Sequence, residues 1–418
     1  MRIKTGVPFL LLLASSLALS QQNPLVESLL KNRYSLSIQE GRFTGPGAQP
    51  LRDLVADAQF VMVGEDHATA EVPQFVGTLC DVLGPQGFRG MAVESGSIAI
   101  EQILPWVGQA DRRSRVAALE KQYPDSLAFF DMQPENELLS HCAGAFPGNG
   151  KFLLWGLDQE FMGASGLILS RIQATHPGKN AAAAIQDAVQ KEAQFRAKAA
   201  STGNPEDLYM MSASEEEVNR IRDLLNSEGS AGAQSLWAQF LESREIYHEN
   251  MTRQGYDSNR RRALWMKTSF QRDYEQATKS EGKPPKMLLK FGDWHLYKGM
   301  NPLHNNDLGN FLAELADGHR QKAANIIILG VKGKHLRFAG IGRPYQVEDF
   351  KMLDDPDYKF MAPMTENLSP DGWTVFDLRG LRKSFRSLGP VDVSMERLIF
   401  GYDLLVLVPQ VTASEQIQ

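Results

Sequence analysis

The most regular feature of the chain is a set of four short apolar runs, each of which ends in an acidic residue. Such runs are typical of strands that are buried on both faces of a sheet. Two of the runs add a histidine, His67 or His295, within three residues of the acid. The acids are Glu65, Glu94, Asp158 and Asp293. Because ligands bind at the carboxyl ends of strands in α/β sheets, we expect these side chains to converge on one pocket.

Helical patterns separate the first strands, so the chain alternates between the two kinds of element. One helix is predicted from about Glu71 to Leu83, another over residues 97–107 and a third over residues 135–145. Strand and helix in alternation indicate parallel pairing with helices packed over the sheet. The predicted fold is therefore α/β, with a largely parallel sheet that is covered by helices.

Residues 163–285 contain helical patterns but no convincing strand, which predicts a long all-helical insertion that caps the strand ends. Its helices are predicted at residues 166–175, 180–200, 213–226, 233–254 and 260–279. Beyond it, strands are predicted at residues 324–331, 335–339, 373–377 and 404–408, with a helix near residues 307–316. Residues 341–370 read as an irregular surface loop.

The first residues predict an exported protein. Arg2 and Lys4 precede an apolar stretch that ends in Ala18-Leu19-Ser20, which is the pattern of a cleaved signal peptide. Cleavage near Ser20 predicts a secreted or periplasmic location. The chain then divides into a signal peptide (1–20), an N-terminal helix (23–35) and linker within 21–50, the first half of the α/β core (51–162), the helical cap (163–285) and the second half of the core (286–418).

Charge narrows the classes of partner. The chain has 44 basic and 50 acidic residues, and losing Arg2 and Lys4 with the signal peptide changes the net charge from −6 to −8. An acidic exported protein has no electrostatic footprint for nucleic acid or an anionic membrane surface, so the expected partner is a small-molecule substrate. The sequence leaves open the oligomeric state, and whether Cys80 and Cys142 pair or remain buried thiols.

Histidine and carboxylate chemistry is what the strand ends predict. The usual signals of serine acyl-enzymes, nucleotide hydrolysis and dinucleotide binding are missing from the sequence. His67, held by Glu65 or Glu94, is a candidate general base that deprotonates water. His295 is a candidate second acid/base or oxyanion stabiliser. His304, in the loop after it, is a candidate to line the pocket.

The same donors also suit a divalent metal, and this alternative stays open. Two imidazoles with carboxylates are adequate ligands for zinc, manganese or iron. Because His-Glu-x-x-His is absent and the two histidines lie far apart in sequence, the metal-free interpretation is favoured and no cofactor is expected.

Gly64-Glu65-Asp66-His67 with Glu71 resembles the Gly-Glu-x-His-x-x-x-Glu motif of the erythromycin esterase-like family, although Asp66 and Ala68 depart from its usual residues. Further segments are similar to that family in the same order. They are residues 88–94, 259–262 with Met266, 291–295, 308–312 and 401–409. The resemblance therefore covers about residues 51–414.

This resemblance implies an α/β core with a helical insertion and hydrolysis of a macrolactone ester. It implies that His67 activates water, with help from Glu65, Glu94, His295 and one arginine of residues 260–262, for which we choose Arg261. The residues predicted to bind substrate are Glu71, Asp158, Asp293 and His304. The superfamily is also similar to haem-binding uptake proteins and Tiki-type metal-dependent peptidases. The alternatives are therefore a non-catalytic metal- or haem-binding module and a metal-dependent hydrolase.

Overall fold

A computed structural model of the chain describes residues 23–146 and 151–417. Its strands are β1 (Arg33–Gln39), β2 (Arg42–Thr44), β3 (Ala58–Glu65), β4 (Phe88–Gly96), β5 (Leu153–Asp158), β6 (Lys286–Gly292), β7 (Lys322–Gly330), β8 (Lys332–Arg337), β9 (Gln346–Lys351), β10 (Trp373–Asp377) and β11 (Leu404–Val408). Its α-helices are α1 (Pro24–Lys31), α2 (Ala48–Val55), α3 (Glu71–Leu83), α4 (Ser97–Ile103), α5 (Arg112–Gln122), α6 (Gln133–Ala145), α7 (Ser165–Gln173), α8 (Lys179–Thr202), α9 (Tyr209–Ser212), α10 (Glu215–Glu228), α11 (Ala231–Met251), α12 (Gly255–Glu281), α13 (Leu308–Gly318), α14 (Ala362–Thr365), α15 (Leu378–Lys383) and α16 (Val393–Gly401). The predicted signal peptide lies outside the described residues.

Nine strands form one central sheet in the order β2-β1-β10-β11-β7-β3-β6-β4-β5. From β11 to β5 every neighbouring pair is parallel, and β10, β1 and β2 add an antiparallel edge. Strands β8 and β9 form a separate antiparallel pair. The α/β prediction with a largely parallel sheet is confirmed.

Both faces of the sheet are buried. On β3, Val61 and Val63 pack into one hydrophobic core, whereas Phe60 and Met62 pack into a second core on the opposite face. A strand that is covered on both faces needs apolar side chains at successive positions. This is why the strands that carry the acids read as continuous apolar runs.

The segment between β5 and β6 contains helices α7 to α12 and no strand, which confirms the predicted helical insertion. Helix α12 is its longest element, with 27 residues, and it packs against β5. Trp265 on this helix donates from Nε1 to the backbone oxygen of Asp158 at 3.2 Å. The insertion therefore delivers side chains to the carboxyl end of the sheet.

The N-terminal segment differs from the helix predicted at residues 23–35. The helix ends at Lys31, and from Arg33 the chain pairs antiparallel with β10, placing Leu36 opposite Trp373. Residues 33–39 alternate in polarity with the period of a strand, and their partner lies at the far end of the sequence.

Several further elements, α5 among them, were absent from the sequence prediction. Helix α5 buries little more than Val116 and Leu119, so it lacks a broad apolar face. Residues 341–370, predicted as loop, include β9 and α14, and β9 is mostly exposed and stabilised by pairing with β8.

Cys80 on α3 and Cys142 on α6 form a disulfide bond, which answers the question that the sequence left open. Both residues are fully buried between the two helices. Across residues 23–146 and 151–417, no helix has the length and apolar character that crossing a membrane requires.

Candidate active site

The carboxyl ends of β3, β6, β4 and β5 lie side by side in that order, because these strands are neighbours and parallel. Glu65 ends β3 opposite Gly292, the last residue of β6. Glu94 lies near the end of β4 and Asp158 ends β5. The sheet therefore brings the predicted acids to one edge, where His67 and His295 join them.

His67 lies between two carboxylates. Its Nδ1 is 2.8 Å from Glu65 Oε1, and its Nε2 is 3.4 Å from Glu94 Oε2. Burial opposes the charged imidazole, but the two carboxylates outweigh that effect and raise the pKa of His67 to about 10. His67 therefore binds a proton tightly, and it becomes a strong base once that proton is removed.

Gly292 allows this close packing. A Cβ atom at this position would lie 2.9 Å from His67 Nε2 and 3.1 Å from Glu94 Oε2. Its backbone N–H donates to Glu94 Oε2 at 2.5 Å, and this hydrogen bond fixes the position of the carboxylate. A side chain at this position would push apart the two groups on which the site is built.

Arg262 is the arginine that enters the site. It donates to both carboxylate oxygens of Asp158, at 2.8 and 2.5 Å, and to Glu94 Oε1 at 2.7 Å. Arg261, chosen from the sequence, instead pairs with Glu242 and Glu249 on α11. Successive helical residues point about 100° apart, and the packing of α12 decides which one faces the sheet.

His295 completes the cluster from the turn after β6. Its Nδ1 is 2.8 Å from Asp307 Oδ2, and its Nε2 is 3.5 Å from Glu94 Oε1. Burial and Arg262 oppose its protonation, yet Glu94 and Asp307 outweigh them and raise the pKa of His295. Burial would raise the pKa of Glu94, but His295, His67 and Arg262 hold it well below its usual range.

A buried lysine binds the carboxylate of Glu65, which in turn contacts His67. Lys290 on β6 donates to Glu65 Oε1 at 2.5 Å and to Glu135 Oε1, on α6, at 2.8 Å. Neither Lys290 nor Glu135 was predicted from the sequence. A lysine inside the apolar run of residues 287–291 was the available signal, because a buried cation requires carboxylate partners.

Phe129 also contacts the site and was not predicted. Its ring stacks on the imidazole of His67 with ring centroids 4.2 Å apart and planes 15° apart. It lies in the loop between α5 and α6, and nothing in the local sequence relates that loop to His67.

The four residues predicted to bind substrate have different surroundings. Glu71 accepts hydrogen bonds from the backbone N–H and the hydroxyl of Thr412. Asp293 is buried and accepts from the Tyr358 hydroxyl at 3.2 Å; burial, reinforced by Asp66, raises the pKa of Asp293 to about 7. His304 is exposed in the loop before α13. Asp158, the fourth, binds Arg262.

A metal site would need several donor side chains within reach of one point. Within the two ranges that the structure describes, no group of three or more His, Cys, Asp and Glu side chains has the arrangement of a metal site.

The chain is similar to three solved structures in its fold. It aligns with the erythromycin esterase EreC, a histidine mutant in its open conformation, with a TM-score of 0.61 and 12% identity over 92% of this chain and 99% of that chain. A succinoglycan biosynthesis protein gives a TM-score of 0.57 and 14% identity over 96% and 99% of the two chains. A Bacillus cereus protein gives 0.56 and 17% over 95% and 99%. No protein-family model and no curated protein matches the sequence. The chain thus has an erythromycin esterase-like fold.

Proposed function

We propose that this chain is an exported hydrolase that cleaves an ester or lactone with water, and that His67 is its general base. The observation that carries the proposal is the position of His67 between Glu65 and Glu94 at the carboxyl end of the sheet. A histidine that is oriented by carboxylates is a common way to activate water. The likeness in fold to an erythromycin esterase supports the same class of reaction.

In this scheme the two nitrogens of the neutral His67 imidazole have separate roles. Nδ1 carries the proton and donates a hydrogen bond to Glu65, which leaves the lone pair on Nε2. Nε2 takes a proton from water, and the resulting hydroxide adds to the acyl carbon. The tetrahedral intermediate then breaks its bond to the alkoxy oxygen, which receives the proton from Nε2. The products are a carboxylic acid and an alcohol.

Arg262 and His295 supply positive charge beside the reacting centre. Both lie against Glu94, and Glu94 with Asp307 raises the pKa of His295, which favours its protonated form. In this scheme His295 donates a hydrogen bond to the developing oxyanion, and Arg262 fixes Glu94 against Asp158. Preorganised donors of this kind stabilise charge that appears only in the transition state.

Export is part of the proposal. The disulfide between Cys80 and Cys142 supports it, because disulfides persist in oxidising compartments and are rare in reducing ones. N-terminal sequencing of the protein recovered from the growth medium or periplasm tests cleavage near Ser20.

The activity test is hydrolysis of p-nitrophenyl esters, lactones and macrolides by the purified protein beside the His67→Ala variant. Turnover that needs His67 and survives EDTA supports the metal-free hydrolase. Turnover that EDTA abolishes means a metal-dependent hydrolase. No turnover, with metal or haem retained through purification, means a binding module.

A further inference from the structure

The two polar contacts of His67 leave one motion of its ring free. Nδ1 is 2.8 Å from Glu65 Oε1, whereas Nε2 is 3.4 Å from Glu94 Oε2, which is longer than an ordinary hydrogen bond. The ring turns about its Cβ–Cγ bond, and a small turn tilts the ring plane while Nδ1 stays within reach of Glu65. The His67 side chain is 28% exposed, so solvent can reach it. A third contact, outside the ring plane, is needed to fix the tilt.

Phe129 supplies that contact, and its backbone adopts an unfavourable positive φ. Its ring is nearly parallel to the imidazole, at 15° and 4.2 Å. Its φ is +67°, in the left-handed region that bulky residues rarely adopt. A residue kept in this region marks a place where the surrounding structure imposes the conformation, often at a functional site.

The loop around Phe129 is held from several sides. Glu120 accepts from the backbone N–H groups of Asp125 and Leu127, at 3.0 and 2.9 Å. After Phe129, the backbone oxygen of Asp131 accepts from Ile417 at 2.8 Å. The loop is therefore fixed independently of the ring, and these contacts offset the strained φ.

The segment that contains Ile417 also binds the loop of His67. Ser414 donates to the backbone oxygen of Ala68 at 3.0 Å, and Ala70 donates to that of Thr412 at 2.9 Å. Residues 412–417 thus bond on one side to the His67 loop and on the other to the Phe129 loop. This arrangement fixes the two rings relative to each other.

We propose that Phe129 is a positioning residue for His67, whose ring covers one face of the imidazole and fixes its plane, so that Nε2 is directed at the water to be activated. The inference uses the role of His67 in the proposed function. Its structural part, the fixed plane of the imidazole, holds whether or not the protein hydrolyses an ester.

Five substitutions separate the ring from the backbone: Phe129→Tyr, Phe129→Trp, Phe129→Leu, Phe129→Ala and Phe129→Gly. We expect the aromatic variants to keep kcat/KM for a p-nitrophenyl ester within about threefold, whereas the other three lose about 10- to 100-fold, because the base is misplaced. Phe129→Gly is expected to have a higher Tm than Phe129→Ala, because glycine adopts a positive φ freely. kcat/KM should therefore depend on whether residue 129 has an aromatic ring, whereas Tm should depend on how easily residue 129 adopts a positive φ.

Arg320 provides a matched control. It has a φ of +55° and is exposed in the turn between α13 and β7. Arg320→Gly is expected to have a higher Tm than Arg320→Ala, and both should keep wild-type activity. This control shows how much of a Tm difference arises from the left-handed backbone alone.

Proton NMR gives a readout that needs no substrate. A stacked phenyl ring shifts the Hδ2 and Hε1 signals of His67 upfield, and Phe129→Leu should move them downfield. Wild-type signals without this shift, or activity that falls in step with Tm across the five variants, would overturn the proposal. An inactive wild type that shows the ring shift would count against the proposed hydrolase and still support the positioning of His67 by Phe129.

Discussion

Arg262 and its neighbour Arg261 lie on the same turn of α12 and serve different carboxylates: Arg262 binds Glu94 and Asp158 at the sheet, and Arg261 binds Glu242 and Glu249 on α11. The guanidinium of Arg262 forms a planar fork on Asp158, which the ammonium of a lysine cannot reproduce. Arg262 therefore orients Glu94, whereas Arg261 links α12 to α11.

Replacing each arginine by lysine tests the difference with charge conserved. Arg262→Lys is expected to lower kcat/KM about 10- to 100-fold, because Glu94 loses its fixed position next to His67. Arg261→Lys should leave kcat/KM close to wild type, because a partly exposed ion pair that links two helices away from the sheet contributes little. Steady-state kinetics with one ester measures both values. Equal losses of kcat/KM in the two variants would contradict the assignment of Arg262 to the site.

The rate of hydrolysis is expected to rise with pH. The raised pKa of His67, about 10, means that the imidazole is protonated at neutral pH and cannot accept a proton from water. kcat/KM should therefore increase about tenfold per pH unit and level off near pH 10.

Glu94→Gln tests the origin of this pH dependence. The charged groups that face His67 are Glu65 and Glu94, with Asp66 and Asp293 close by. Removing the charge of Glu94 should lower the pKa of His67 and move the rise in kcat/KM to lower pH. A wild-type profile that is already flat at pH 7 would refute His67 as the base.

Lys290→Met is expected to destabilise the fold. Glu65 and Glu135, each with a side chain only 2% exposed, would lose the cation that both of them bind. Breaking a buried ion pair in this way costs about 3–5 kcal/mol. Urea unfolding measures the loss, and adding Glu135→Gln to the variant should recover part of it.

This loss should depend on pH. Burial raises the pKa of Glu135 in the folded state, and losing Lys290 raises it further, so the folded variant binds this proton more tightly than the unfolded chain does. The stability that comes with that proton is present below the unfolded pKa and disappears as pH rises through the folded pKa. The variant should therefore be closer to wild type at pH 5 than at pH 8, and a loss that is the same at both pH values would contradict the buried ion cluster.

The sequence was enough to predict which side chains meet at the carboxyl ends of the parallel strands. Glu65, Glu94 and Asp158 end apolar runs, and the rule that parallel strands present their carboxyl ends together was enough to group them with His67 and His295. The helical insertion was equally clear, because its pattern continues for more than a hundred residues without a strand.

What the sequence could not supply depends on long-range packing. The choice between Arg261 and Arg262 is set by the rotation of α12 against the sheet, which the spacing of these residues leaves open. Phe129 reaches His67 from a loop 62 positions away, and β1 pairs with a strand more than 300 positions away. Lys290 is the exception, since a lysine in an apolar run already indicated a buried partner.

Hydrolysis of p-nitrophenyl esters and lactones by residues 21–418 and by the His67→Ala variant, each with and without EDTA, tests the central claim most directly. At a pH near 10, where His67 loses its proton, we predict that the wild type turns over at least one substrate, that EDTA leaves the rate unchanged, and that His67→Ala lowers kcat/KM about 10²- to 10⁴-fold without a loss of folding detectable by circular dichroism. A folded His67→Ala variant with wild-type activity would contradict the account.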